Sequence, residues 1–209
     1  MDPGHWLSLF SVCLLGAMSP GPSLAVVMNS TLREGPAAGY ACAVGHGAGV
    51  GLYGLATVSG LAGVIARSPG LFMALQVLGA LYLLYLGYRS LRASGAEELR
   101  EDSHRVGNRA PALNGFLVAF LNPKLAIFML ALFSQFLRPE ADILEKGLMV
   151  ATVGITDASW YSLVVALMTR GPFLKKLQAY DRVISRIFGI ILILLGLSVI
   201  ARVMLQVQL

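Results

Sequence analysis

Charge is scarce in this chain, and its scarcity excludes an ordinary water-facing globule. Only 13% of the 209 residues are Asp, Glu, Lys or Arg, against 56% that are apolar, too few ionisable groups to clothe a soluble surface. Cysteine is almost absent. Cys13 and Cys42 lie singly in separate apolar stretches, with no Cys-x-x-Cys pair and no metal-ligand spacing. A dithiol redox carrier would lack its chemistry here, and both residues read as small core hydrophobes. A Walker-type glycine-lysine loop is missing as well, so coupling to nucleotide hydrolysis has no cradle in the sequence. No basic leader precedes the first apolar stretch, which follows Asp2 and outlasts a signal-peptide core. The first segment is therefore expected to stay in the mature protein. No catalytic set, cofactor site or metal site is expected, and nothing points to an enzyme.

What is present is a series of long apolar runs. Residues 6–32, 35–66 and 68–88 contain no Asp, Glu, Lys or Arg; 110–137 contain only Lys124, and 147–169 only Asp157. A final run, 187–201, extends to about Leu205 if Arg202 snorkels. A helix rises ~1.5 Å per residue and the hydrocarbon layer is ~30 Å thick, so each run is long enough to span, or nearly so. The expected fold is all-α: a polytopic integral membrane protein of six transmembrane helices. Their expected limits are His5–Asn29, Ala38–Ala66, Leu71–Tyr88, Ala112–Leu137, Gly147–Thr169 and Ile187–Leu205. The second is rich in glycine, which in lipid lets neighbouring backbones approach. Tyr82, Tyr85 and Tyr88 form a stripe suited to a membrane interface. Arg89–Arg109 is hydrophilic and is expected as a loop or brief surface helix, and Arg170–Arg186 as a basic loop.

Two of the spans should be broken. Ser19-Pro20-Gly21-Pro22 interrupts the first and Asn122-Pro123-Lys124 the fourth, because proline removes a backbone donor and clashes with the preceding turn. The halves also match in order: Met18-Ser19-Pro20 with Leu121-Asn122-Pro123, Val44-Gly45 with Val153-Gly154, Gly79 with Gly189 and Gly87 with Gly196. Three spans per half is an odd number, so a second repeat must lie inverted relative to the first, as in transporters with broken helices at the repeat interface. This reading divides the single transmembrane domain, 1–209, into a three-helix repeat at 1–88, a hydrophilic loop at 89–111 and a second repeat at 112–209. Eleven of the lysines and arginines fall on the side of the first, third and fifth loops and four on the other. The positive-inside rule then places both termini outside the cytoplasm. The excess of positive charge, +5 overall, is thereby a matter of membrane orientation, and no nucleic-acid partner is implied.

A broken helix in lipid exposes amides and carbonyls that protein, ion, substrate or water must answer. Its ends carry partial charges suited to a carboxylate and an ammonium, so two breaks could hold a small zwitterion. Ser19 and Asn122 would satisfy freed backbone groups or touch ligand, and Gly21 would let the chain turn or a ligand approach. Lys124 and Asp157 are the ionisable groups deepest in the membrane apart from histidine, and either a static salt bridge between them or a role in substrate or proton movement suits them. His46, between Gly45 and Gly47, is a second proton-carrier candidate or a hydrogen-bonded core histidine. Tyr53, Trp160 and Tyr161 either line the same cavity or pack. Small-residue faces on the second and third spans fit a homodimer as well as packing within one subunit.

Ser19-Pro20-Gly21-Pro22, the Arg33-Glu34-Gly35 turn, the glycines from Gly39 to Gly51 and Asn122-Pro123-Lys124 together closely resemble the lysine exporter and homoserine/threonine resistance family of bacterial amino-acid efflux permeases. The resemblance covers essentially the whole chain. It implies a multi-pass protein of the bacterial inner membrane that exports amino acids or their derivatives by proton antiport, with substrate, protons and membrane lipid as its partners. The family's acidic position in the fifth span matches Asp157. The rival reading, a metal-ion exporter of related architecture, wants clustered ligands in the membrane. His5 and His104 fall at segment edges and leave His46 without company.

Overall fold

Proline punctuates the chain. In the computed structural model, which describes residues 2–19, 21–92, 110–168 and 173–207, six helices begin on one: α1 Pro3–Met18, α2 Pro22–Glu34, α3 Pro36–Arg67, α4 Pro69–Arg92, α5 Pro111–Phe120 and α6 Pro123–Phe136. The first helical position loses nothing by lacking an N–H, and the ring presets φ. α7 Ile143–Met168 and α8 Phe173–Val207 complete the set. No strand occurs among the described residues. Gly35, at φ 93° between α2 and α3, takes a left-handed turn that a side chain would disfavour.

The expected helix pattern holds, with differences at its margins. The loop expected from Arg89 begins later, because α4 runs to Arg92; residues 93–109 lie outside the described residues. The basic loop expected at Arg170–Arg186 is a correction, since α8 is helical from Phe173 onward. Charged residues mark where lipid ends, not where a helix ends, and Lys and Arg are good helix formers.

The two breaks are present as bends of 58° between α1 and α2 and 60° between α5 and α6. α3, α4, α7 and most of α8 are each long and apolar enough to cross a membrane alone. Whether the bent pairs cross follows from contacts. Along α3 and α7, Gly39 faces Val165, His46 faces Tyr161 and Asp157, and Gly54 faces Val153, so these helices are antiparallel. In α4 and α8, Gly87 meets Gly189 while Ala80 meets Gly196, again antiparallel. A hairpin at α5–α6 that returned to its own side would make both pairs parallel. The first bent pair likewise advances along α7: Trp6 donates to Thr152 Oγ1 at 2.9 Å, Tyr161 lies beside Ser23, and Thr31 abuts Gly39, itself against Val165. That progression covers ~20 Å of α7. Both bent pairs are therefore single broken spans, and the chain is a polytopic helical membrane protein.

Its outer face is apolar at mid-helix, with Val44, Leu78, Ile155 and Leu194 all at least 60% exposed, the pattern of a surface solvated by lipid. Tyr85 and Tyr88 are exposed near the end of α4 beneath Arg89 and Arg92, with Arg92 4.6 Å from the Tyr88 ring, as an interfacial belt requires. Inside, close crossings are made by glycine. A Cβ on Gly115 of α5 would run into the Cys42 carbonyl oxygen of α3, so the two backbones touch. Buried apolar side chains form two clusters. One gathers Leu9, Cys13, Val50, Ala119, Phe128, Phe133, Val153 and Leu192; the other gathers Leu24, Val27, Cys42, Ala43, Tyr161 and Val165.

Candidate functional site

The seam between these clusters is where polar groups collect. Each helix that contributes to both carries its polar residue between the two contributions. On α3, His46 lies between Ala43 of one cluster and Val50 of the other; on α7, Asp157 lies between Val153 and Tyr161; along the first span, the break lies between Cys13 and Leu24. The side chains meet there. His46 Nδ1 is 2.6 Å from Asp157 Oδ2, the length of a charge-assisted hydrogen bond. Both are deeply buried, His46 at 1% exposure and Asp157 at 8%, near the midpoint of α7. Tyr161 is edge-on to the imidazole with centroids 5.1 Å apart, and its hydroxyl lies beside Ser23 of α2. Cys13 of α1 is close enough to Asp157 to sense its charge. The crossing that sets this geometry is again small: a Cβ on Gly47 would lie 2.7 Å from the Gly154 carbonyl oxygen.

The groups at the seam are incompletely satisfied. Among the described residues, His46 Nε2 and Trp160 Nε1 are buried without a hydrogen-bond partner. Buried polar atoms usually find partners, and an orphan in a membrane interior marks a place for a ligand or an ion. The first break adds free amides. Gly21, the N-cap of α2, has extended backbone that any residue can adopt, and α2 has no side-chain cap. Gly21 is buried, yet a Cβ there would meet no atom within 4 Å. Its smallness is thus not needed for the turn; it leaves space beside the backbone. Ser19 closes α1 through its own N–H, which donates to the Leu15 carbonyl at 3.0 Å. Pro22 begins α2, and Pro20 lies outside the described residues.

The second break is built differently. Asn122 Oδ1 accepts from the amides of Lys124 and Leu125 at 3.0 and 3.3 Å, capping α6 in the ordinary way, with Pro123 at the first helical position. Ala119 before the break and Phe128 after it belong to one apolar cluster. Lys124 is exposed. Of the two readings left open for Lys124 and Asp157, a salt bridge between them does not fit: the carboxylate takes its histidine neighbour instead. Tyr53 packs on Phe120, centroids 5.1 Å apart, just before this break. Seven residues separate Tyr53 from His46 on α3, placing the second break ~10 Å along the axis from the pair.

Sequence reasoning named His46 and Asp157 separately and did not join them, and it gave no role to Ser23 or Cys13. A signal existed. Glycines lie close to both residues in the chain, and small residues let helices cross closely; Gly47 lies at the crossing with Gly154, whereas Gly45 faces Ala112 of α5. Each ionisable residue lies within a turn of its glycine.

Comparison with known sequences gives the family. Residues 14–202 match the LysE type translocators. The chain belongs to the LysE type translocator family. This translocator is 26% identical over 193 residues to the homoserine/homoserine lactone efflux protein of Salmonella typhimurium, covering 89% of this chain and 93% of that one. It is 27% identical over 202 residues to the Bacillus subtilis membrane protein YrhP, covering 92% and 96%, and 32% identical over 125 residues to the Pseudomonas aeruginosa membrane protein PA4757, covering 57% and 58%. No solved structure matches the translocator.

Proposed function

We propose that this translocator exports amino acids or their derivatives across the bacterial inner membrane by proton antiport, at a site on the seam beside the first break. The observation that carries this reading is the buried His46–Asp157 pair. A carboxylate and an imidazole 2.6 Å apart, in mid-membrane and next to unsatisfied backbone and side-chain groups, have no structural need that an apolar pair would not meet better. Histidine titrates near neutrality, which suits it to carry a proton. The uncapped α2 N-terminus, Ser19 to Pro22 and the space beside Gly21 would receive the substrate's carboxylate end, with Trp160 and Tyr161 as walls. Asn122, Pro123 and Lys124 form the corresponding break, and Tyr53 stands between the two. The Salmonella relative named for homoserine and homoserine lactone efflux supports small amino-acid derivatives as substrates.

Antiparallel packing of α3 on α7 and of α4 on α8 supports two inverted repeats, 1–88 and 112–209, rocking about the seam to give alternating access. With both termini outside the cytoplasm, the arginine-rich third loop would be cytoplasmic. The test is efflux from proteoliposomes loaded with a panel of labelled amino acids, with and without an imposed pH gradient. A gradient directed into the vesicles should accelerate efflux of at least one amino acid carrying a free amine. If none leaves faster than from empty-lipid controls, the reading is wrong.

A further inference from the structure

We propose that Asp157 is the receptor for the substrate's ammonium group and that the proton on His46 is its competitor, so that the site exchanges one proton for one amine. This rests on the amino-acid export reading and specifies how its site works. An ionised carboxylate buried in mid-membrane needs one counter-charge, and two cations at one carboxylate repel.

Among the described residues, the helices packed on the pair bring no second charge to it; Lys124, the one charged side chain of α6, is exposed at the second break, ~10 Å away along the helix axis. α1 presents the Cys13 thiol, α3 the Cys42 thiol and α7 the Tyr161 phenol, all uncharged near neutrality. α5 has no titratable side chain, and those of α2, Arg33 and Glu34, lie in its last turn. Among the described residues, the hydrogen bond of Asp157 is the one with His46 through Oδ2, which leaves Oδ1 to accept from an ammonium. The orphaned His46 Nε2 is the atom through which the imidazole can gain or lose its second proton.

Two occupancies follow. In one, imidazolium faces carboxylate. In the other, the Nε2 proton has passed to water on the open side, the neutral ring still donates from Nδ1–H to Oδ2, and the incoming ammonium takes Oδ1. No covalent bond is made, and one proton leaves for each ammonium that enters. Transport then requires a free amine, and exporting a net-neutral amino acid carries one positive charge inward.

The experiment uses the full-length protein in lipid nanodiscs, with L-homoserine as probe and N-acetyl-L-homoserine as control; if efflux singles out another amino acid, that one and its N-acetyl form replace them. Binding is titrated across pH, and proton release is followed with an indicator dye in weak buffer. The apparent Kd should weaken as the pH is lowered, approaching tenfold per pH unit where one proton is exchanged per ligand, with close to one proton released per ligand at the acid end. His46→Gln should bind with a pH-independent Kd and release none, and His46→Asn provides a second variant should the first fold poorly. Asp157→Asn should weaken binding on the order of 100-fold, and the N-acetyl control should not bind. A pH-independent Kd in the unaltered protein, a His46 variant that keeps the original pH profile, or equal binding of the N-acetyl form overturns the exchange. These outcomes leave export intact, whereas absence of efflux across the whole panel removes the export reading itself.

Discussion

The two broken spans look alike in sequence and in bend, 58° against 60°, but only one of them is unfinished. At the second, Asn122 caps two amides of α6, and a single apolar cluster runs past the break on both sides. At the first, α2 begins without a side-chain cap, the apolar core divides, and the buried His46–Asp157 pair occupies the division. A break that satisfies its own backbone is a way to turn a helix. One that leaves its amides open beside a buried charge pair is built to take something else. Two breaks of similar sequence and bend thus carry different chemistry.

The largest expected effect tests the unfinished side. Asp157→Asn removes the charge while keeping the shape, and efflux in proteoliposomes should fall on the order of 100-fold or more, with membrane insertion preserved. Near-normal efflux that still responds to a pH gradient would move the site away from the seam and dissolve the contrast between the breaks.

Next in size is a test of how rigidly the second broken span is held. Gly115 of α5 lies against the α3 backbone, and an added Cβ would clash with the Cys42 carbonyl oxygen. Neither backbone can yield without moving its helix, so Gly115→Ala should cost about 1–3 kcal/mol and lower the yield of folded protein in detergent. Unchanged thermal melting would mean that the α3–α5 crossing is looser than this contact implies.

The long apolar helices, both breaks and the exposed Tyr85 and Tyr88 followed from charge-free windows and proline positions, because lipid forces backbone groups to be satisfied within each helix and punishes every exception; Tyr82 of the same stripe packs against the core instead. The start of α8 did not, since hydropathy marks the lipid boundary while Lys175, Lys176 and Arg182 continue the helix without difficulty. The pairing of His46 with Asp157 was missed for a different reason. Opposite formal charge favoured Lys124, but which side chains face the interior is decided by where helices cross, here at Gly47 and Gly154, and windows of composition hold no such information.

A milder substitution separates turning from binding at the second break. Asn122→Ala deletes the acceptor for the Lys124 and Leu125 amides, at a cost of about 1 kcal/mol, or roughly 2–4 °C in Tm for a chain of this size. Efflux per folded molecule should stay within about twofold. A large loss of transport with an unaltered Tm would give Asn122 a direct role with substrate and make the two breaks functionally equal.

The smallest effect on stability is expected where the first break is most open. Gly21 has extended backbone, so no left-handed conformation defends it, and a Cβ would meet nothing within 4 Å. Gly21→Ala should therefore leave Tm unchanged within about 0.5 kcal/mol of stability, in contrast to Gly115→Ala. If the space beside Gly21 receives substrate, the added methyl intrudes on it, and KM for efflux should rise while the rate at saturation changes little, the signature of lost uniform binding. Gly21→Leu should deepen the same defect by filling more of the space. Because Gly21→Ala is expected to leave stability unchanged, a rise in KM in that variant points to occlusion, and an unchanged KM in both would show that the opening at the first break does not lie on the substrate's path.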